Sequence, residues 1–124
     1  MTKTVLIVDD NAYIRKALCE RFTLEADFEV CGEAANGKEA IEKALELRPD
    51  LIVLDLSMPV MNGLEAAREL RRLMPTVPII LCSLFGDALA KQEARLVGIS
   101  EVVSKSQASD MLISKARGLL FSAS

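Results

Sequence analysis

The sequence predicts an α/β domain, with a five-stranded parallel sheet covered by helices on both faces. Three features of the pattern carry that prediction. Apolar runs such as Val5-Leu6-Ile7-Val8, Leu51-Ile52-Val53-Leu54 and Pro78-Ile79-Ile80-Leu81 are too short for helices and apolar at every position. Longer segments of helical period lie between them. Strand and helix patterns alternate five times along the chain, and parallel crossovers of this kind are right-handed.

The first strand spans about Thr4 to Val8, and Asp10 or Asn11 caps the helix that follows. Ile14, Leu18 and Phe22 share one face of that helix, with Ala17 beside them. Glu29 to Ala34 reads as a less regular second strand, and Asn36-Gly37 marks a turn. Ile41, Ala44 and Leu45 line a helix that stops before Pro49, and Leu51 to Leu54 is the third strand. Met58-Pro59 and Asn62-Gly63 punctuate the next loop. Leu64, Ala67, Leu70 and Met74 then form an apolar stripe, with Arg68, Glu69, Arg71 and Arg72 outside. Pro78 to Leu81 is a fourth strand whose proline sits at its tolerated first position. Ala88 to Val97 is a fourth helix ended by Gly98 in a left-handed cap. Val102-Val103 lies in a short fifth strand, and Leu112, Ala116, Leu119 and Leu120 line the last helix.

Composition narrows the function. A chain of 124 residues forms one domain, and a net charge of −3 leaves no electrostatic footprint for nucleic acid. No apolar run is long enough to span a bilayer, and Met1-Thr2-Lys3-Thr4 shows no signal-peptide pattern, so a cytoplasmic location is expected. Cys19, Cys31 and Cys82 lack metal-ligand spacing and read as small buried hydrophobes. The absence of histidine removes Ser-His-Asp triads and His-ligated zinc.

The chemistry concentrates in three acids. Asp9 and Asp10 close the first apolar strand, and Asp55 closes the third. Ligands of open parallel sheets bind beyond the strand C-termini, where strand order reverses. Asp9, Asp10, Asp55 and Ser83 all fall just after strands, on that edge. Either of the paired acids alone would read as a helix cap, which does not explain two. Ser83 alone is a turn residue and Lys105 alone a solvated lysine. Three converging carboxylates repel and raise one another's pKa unless a cation sits among them. Oxygen-only ligands favour Mg²⁺ or a relative.

Val8-Asp9-Asp10-Asn11, Pro49 through Asp55, Met58-Pro59 with Asn62-Gly63, Ser83 and Lys105 together resemble the receiver domain of bacterial two-component response regulators. The resemblance runs end to end, so residues 1–124 are one receiver domain. It implies a flavodoxin-like, doubly wound (βα)5 fold with strand order 2-1-3-4-5. Val30 through Gly37 and Ser104-Lys105-Ser106 look most like regulators with a helix-turn-helix DNA-binding output. The resemblance makes Asp55 the phosphoacceptor, taking its phosphoryl group from the phosphohistidine of a sensor kinase. Mg²⁺ is then held by Asp10 and Asp55, by Asp9 directly or through water, and by the backbone carbonyl of Ser57. Lys105 and the Ser83 hydroxyl hold phosphoryl oxygens. Phosphorylation would reshape a face including Lys91, Arg95, Glu101 and Val102, altering dimerisation or contact with an output domain. The last helix runs nearly to the end, which is compatible with a complete chain or a portion of a longer regulator.

Three positions depart from the family pattern. Val102 stands where many receivers carry Tyr or Phe, so the usual coupling of an aromatic ring to the serine is missing. Ser106 follows the lysine where proline is usual. A cis bond before a non-proline residue costs about 3 kcal/mol, so either a trans bond or local strain is expected. Leu84 is bulky where a small residue is usual, and with Phe85 it is expected to cover the Asp55 pocket partly.

Other readings compete with the switch. A receiver fold that docks without being phosphorylated is compatible with Val102 and Ser106. An aspartyl-nucleophile phosphatase of the haloacid-dehalogenase type needs a second acid where Ser57 stands. A flavin or nucleotide binder needs a phosphate loop where the paired acids stand. The expected role is therefore that of a signalling phosphoacceptor rather than a turnover enzyme.

Overall fold

In a computed structural model of the chain, the elements run β1 (Lys3–Val8), α1 (Ala12–Thr23), β2 (Phe28–Ala34), α2 (Gly37–Leu47), β3 (Leu51–Asp55), α3 (Gly63–Leu73), β4 (Ile79–Ser83), β5 (Glu101–Ser104) and α4 (Ser109–Phe121). The structure describes residues 2–56, 61–83, 92, 94–99, 101–104 and 109–121, with main chain alone at Ser83 and Ser109. All five strands pair in parallel in the order β2-β1-β3-β4-β5. This is the flavodoxin-like, doubly wound order.

Strand alternation divides the core between the two sheet faces. Leu6, Val8, Ile52, Leu54, Ile79 and Leu81 pack with Ala40 and Ala44 of α2 and Ala66, Ala67 and Leu70 of α3. Val5, Ile7, Leu51, Val53, Ile80 and Val103 pack on the other face with Phe22 of α1 and Leu112, Ile113 and Ala116 of α4. The central strand β3 is buried at every position because both faces are covered, which is why its sequence shows no polar alternation.

The starts of α1, α2 and α3 depend on asparagine. Asn11 Oδ1 accepts from the amides of Tyr13 (2.9 Å) and Ile14 (3.2 Å) and starts α1. The two Asn-Gly pairs are helix starts rather than free turns. Asn36 caps the Glu39 amide at 2.8 Å, and Asn62 forms a capping box with Glu65. Gly98 has φ +79, and the Gly98→Arg95 and Ile99→Ala94 main-chain bonds close a Schellman turn, as the left-handed cap required. Of the predicted fourth helix, residues 92 and 94–97 are described: 92 and 94–96 are helical, and Val97 already belongs to the turn.

Three expectations need correction. Of the cysteines expected to be buried, Cys82 is buried but Cys19 and Cys31 are half-buried. Leu45 is 41% exposed, because the buried face of α2 is Ala40 and Ala44. Arg71 is not a solvated helix charge: it is half-buried and bound to the carbonyls of Pro75 and Val77 at 2.6 and 2.9 Å. Among the described residues no helix is long and apolar enough to cross a membrane.

Candidate functional site

Strand order reverses between β1 and β3, since β2 lies on one side of β1 and β3 on the other. Val8 pairs with Leu54, so Asp9, the next residue after β1, and Asp55, the last of β3, leave adjacent strands side by side. Both are buried, at 1% and 3% exposure, whereas Asp10 faces solvent. One carboxylate oxygen from each of Asp9, Asp10 and Asp55 lies within 4.8 Å of the others. The predicted trio is therefore assembled.

The turn that carries the paired acids is fastened to its surroundings. The Asp9 amide donates to the Ala34 carbonyl at 3.1 Å, tying it to the end of β2. Asp9 Oδ1 accepts from the Asn11 amide at 2.9 Å. Arg15 Nη1 donates to the Asp9 carbonyl at 2.7 Å, while Arg15 Nε bonds Glu33 Oε1 at 3.1 Å. Behind Asp55, the Leu56 amide donates to the Cys82 carbonyl, and the Gly63 amide to the Leu56 carbonyl, each at 2.8 Å.

Three carboxylates at this spacing, two of them withdrawn from water, repel one another strongly. A donor set made only of oxygens around such a point suits a hard divalent cation with retained waters, and the acids present fit that requirement.

The main chain of Ser83 ends β4 opposite Ser104, at the same sheet edge as Asp55. Ser57, Leu84, Phe85, Lys91, Lys105 and the Lys105–Ser106 bond lie outside the described residues. On the expected switching face, Arg95 is exposed, Glu101 pairs with Lys115 at 3.0 Å, and Val102 packs partly buried against the core.

Sequence reading missed the partnership of Arg15 and Glu33. Helix periodicity leaves Arg15 on the first full turn after the acids, but only the β2–β1 pairing brings Glu33 beside it. Glu33 also acts on Cys19. Burial, and after it the negative charge of Glu33, push the Cys19 thiol up to about 11.

A response regulator receiver domain model matches residues 5–117. Chemotaxis protein CheY of Thermotoga maritima is 44% identical over 105 residues, covering 85% of this chain and 87% of that protein. A protein-glutamate methylesterase/protein-glutamine glutaminase of Caldanaerobacter subterraneus is 41% identical over 123 residues; the match covers 91% of this chain and only 34% of that relative. Among solved structures, the response regulator domain of Thermotoga maritima CheB aligns with TM-score 0.89 at 33% identity over 97% of both chains. A LuxR-family two-component response regulator from Aurantimonas aligns with TM-score 0.92 at 27% identity, over 97% of this chain and 86% of that one. A chain of the CheX-CheY-BeF3-Mg²⁺ complex from Borrelia burgdorferi aligns with TM-score 0.89 at 25% identity, over 94% and 88%.

Proposed function

The chain belongs to the response regulator receiver family, and from that membership we propose that Asp55 is the phosphoacceptor of a switch driven by a sensor histidine kinase. The convergence of Asp9, Asp10 and Asp55 at the β1–β3 switch point carries the reading. An Asp55 oxygen attacks the phosphorus of the donor's phosphohistidine. A P–O bond forms as the P–N bond breaks, and the imidazole departs.

Asp9, Asp10 and Asp55, with the backbone carbonyl of Ser57, are the residues that would hold Mg²⁺. When bound, the ion supplies the positive charge that a carboxylate attacking a phosphoryl dianion requires. Lys105 adds a second positive charge and Ser83 a hydroxyl donor for the phosphoryl oxygens. The domain assists its own phosphorylation and slow dephosphorylation, and is not a turnover enzyme.

The new charge on Asp55 is read out on the face that includes Lys91, Arg95, Glu101 and Val102. Its consequence is homodimerisation or engagement of an output domain, including a DNA-binding one that regulates transcription. The domain itself binds neither nucleic acid nor membrane, in keeping with a net charge of −3, and works in the cytoplasm.

The test is incubation with Mg²⁺ and acetyl phosphate, read by intact mass. Wild type should gain one phosphoryl group, and Asp55→Asn should gain none. An unmodified wild type under these conditions would leave a docking module as the better description. An adduct that persists in Asp55→Asn would move the acceptor elsewhere.

A further inference from the structure

We infer that Arg15 is a positioning residue for the cation site: its guanidinium holds the Asp9 carbonyl, and through that peptide it aims the Asp10 carboxylate. The inference rests on the proposed Mg²⁺ site, and it concerns residues outside the acid trio.

Asp9 is held by a strand-type bond from its amide to Ala34 and by the Asn11 amide on Oδ1. Neither bond fixes the carbonyl of the Asp9–Asp10 peptide. That carbonyl accepts Arg15 Nη1 at 2.7 Å, a short charge-assisted bond. The orientation of this peptide plane determines where the Asp10 side chain departs. Asp10 faces solvent, unlike buried Asp9 and Asp55, so packing constrains its direction least.

Arg15 is itself oriented. Its Nε donates to Glu33 Oε1 at 3.1 Å, and Glu33 stands on β2 one residue before Ala34, the acceptor of the Asp9 amide. The guanidinium therefore bridges β2 and the acid-bearing turn with two of its donors. The fixed fork of arginine suits this role, since one point donor cannot serve two acceptors in set directions.

An opposing effect exists and has the opposite sign. A guanidinium near three carboxylates repels an incoming cation, so charge alone predicts that removing Arg15 tightens Mg²⁺ binding. Arg15 points its Nη1 at a carbonyl and commits its Nε to Glu33, which offsets its charge. Positioning therefore outweighs repulsion. Groups that orient metal ligands without touching the metal typically change affinity about 10- to 100-fold when removed.

The experiment is calorimetric titration of the full chain with MgCl2, with thermal unfolding recorded without metal for each variant. Arg15→Ala should weaken Mg²⁺ binding about tenfold. Arg15→Lys should recover part of the loss, and Glu33→Gln should lose less than Arg15→Ala. Asp10→Asn serves as the control for the site. If wild type binds, Asp10→Asn fails to bind, and both Arg15 variants match or exceed wild-type affinity, the inference is wrong while the site stands. If wild type itself does not bind Mg²⁺, the site reading fails and takes this inference with it. A purely structural role would lower the unfolding temperature and leave the affinity of the folded molecules unchanged, which also counts against it.

Discussion

Gly63 lies against the main-chain carbonyl of Asp55 so closely that a Cβ at Gly63 would overlap that oxygen and come within 2.8 Å of Leu56 Cα. The contact is backbone on backbone, so no flexible side chain can give way. It sets how near the start of α3 comes to the end of β3, and so supports Asp55 from behind. Gly63→Ala should destabilise the fold by about 1–3 kcal/mol, the range for overpacking a closed site. Gly118 is the contrast: nothing lies within 4 Å of a Cβ there, and it sits inside α4. Gly118→Ala should stabilise by roughly 0.5–1 kcal/mol through helix propensity. Denaturant unfolding of both variants tests the pair, and equal effects would contradict the packing assigned to Gly63.

A second prediction concerns acid. Arg117 on α4 bonds Asp27 at 2.9 Å and Glu25 at 3.0 Å, while Arg21 on α1 bonds Glu25 at 2.9 Å and Asp110 at 2.6 Å. The Arg117 bond holds the Asp27 carboxyl below its ordinary range, and the Arg21 bond does the same for Glu25. Both carboxyls bind protons less readily when folded. The unfolded chain therefore takes up protons first as pH falls. The stabilisation is complete above the ordinary carboxylate pKa values and is lost as pH drops through the lowered ones. Between about pH 5 and about pH 3 the wild-type Tm should fall more than that of Arg117→Gln. These ion pairs remain accessible to solvent, so 1 M salt should shrink the difference. Parallel Tm curves for the two proteins would refute the linkage.

The sheet and the acids were legible because each leaves a local mark. Uniformly apolar runs announced strands covered on both faces, and an acid ending such a run announced the sheet's C-terminal edge. Asn36-Gly37 and Asn62-Gly63 were legible as breaks but not as helix starts. The Asn-x-x-Glu spacing to Glu39 and Glu65 was the signal that distinguishes a cap from a turn. Leu45 misled because helical period places several residues near the core, and the small Ala40 and Ala44 let α2 approach the sheet along a different face. Arg15 with Glu33, and Arg71 with its two carbonyls, were illegible for another reason. Each bond depends on which elements become neighbours or how a loop turns back, and a charged residue on a helix reads as solvated until that is known.

Cys19 supplies a third prediction. Its thiol is pushed up to about 11, first by burial and then by Glu33. Against an ordinary thiol near 8.5, its thiolate fraction at pH 8 is lower by roughly 200-fold. Alkylation of Cys19 by iodoacetamide, followed by peptide mass, should be slow at pH 8 and still accelerating above pH 10. Glu33→Gln removes a charge that opposes thiolate formation, so the same cysteine should react faster at pH 8. A rate that levels off near pH 9 in wild type would show that burial and Glu33 do not act on the thiol as described.

Arg71 joins α3 to the loop before β4, and its chemistry predicts an asymmetric response to substitution. Nη1 donates to the Pro75 carbonyl at 2.6 Å and Nη2 to the Val77 carbonyl at 2.9 Å. Its stem passes under Gly98, where an added Cβ would meet Arg71 Cγ and Cδ at 3.3 Å. One side chain thus closes the turn that delivers Ile79 to the sheet and packs against the Schellman turn at Gly98. Arg71→Ala removes both charged hydrogen bonds and the packed stem, and should cost about 1–3 kcal/mol. Arg71→Lys keeps the charge and most of the stem but offers a single point donor, which cannot serve both carbonyls in their fixed directions. Lysine should therefore recover less than half of the loss in denaturant unfolding. Full recovery by lysine would mean that charge and packing carry the effect, and that the two-carbonyl fork contributes nothing to the α3–β4 turn.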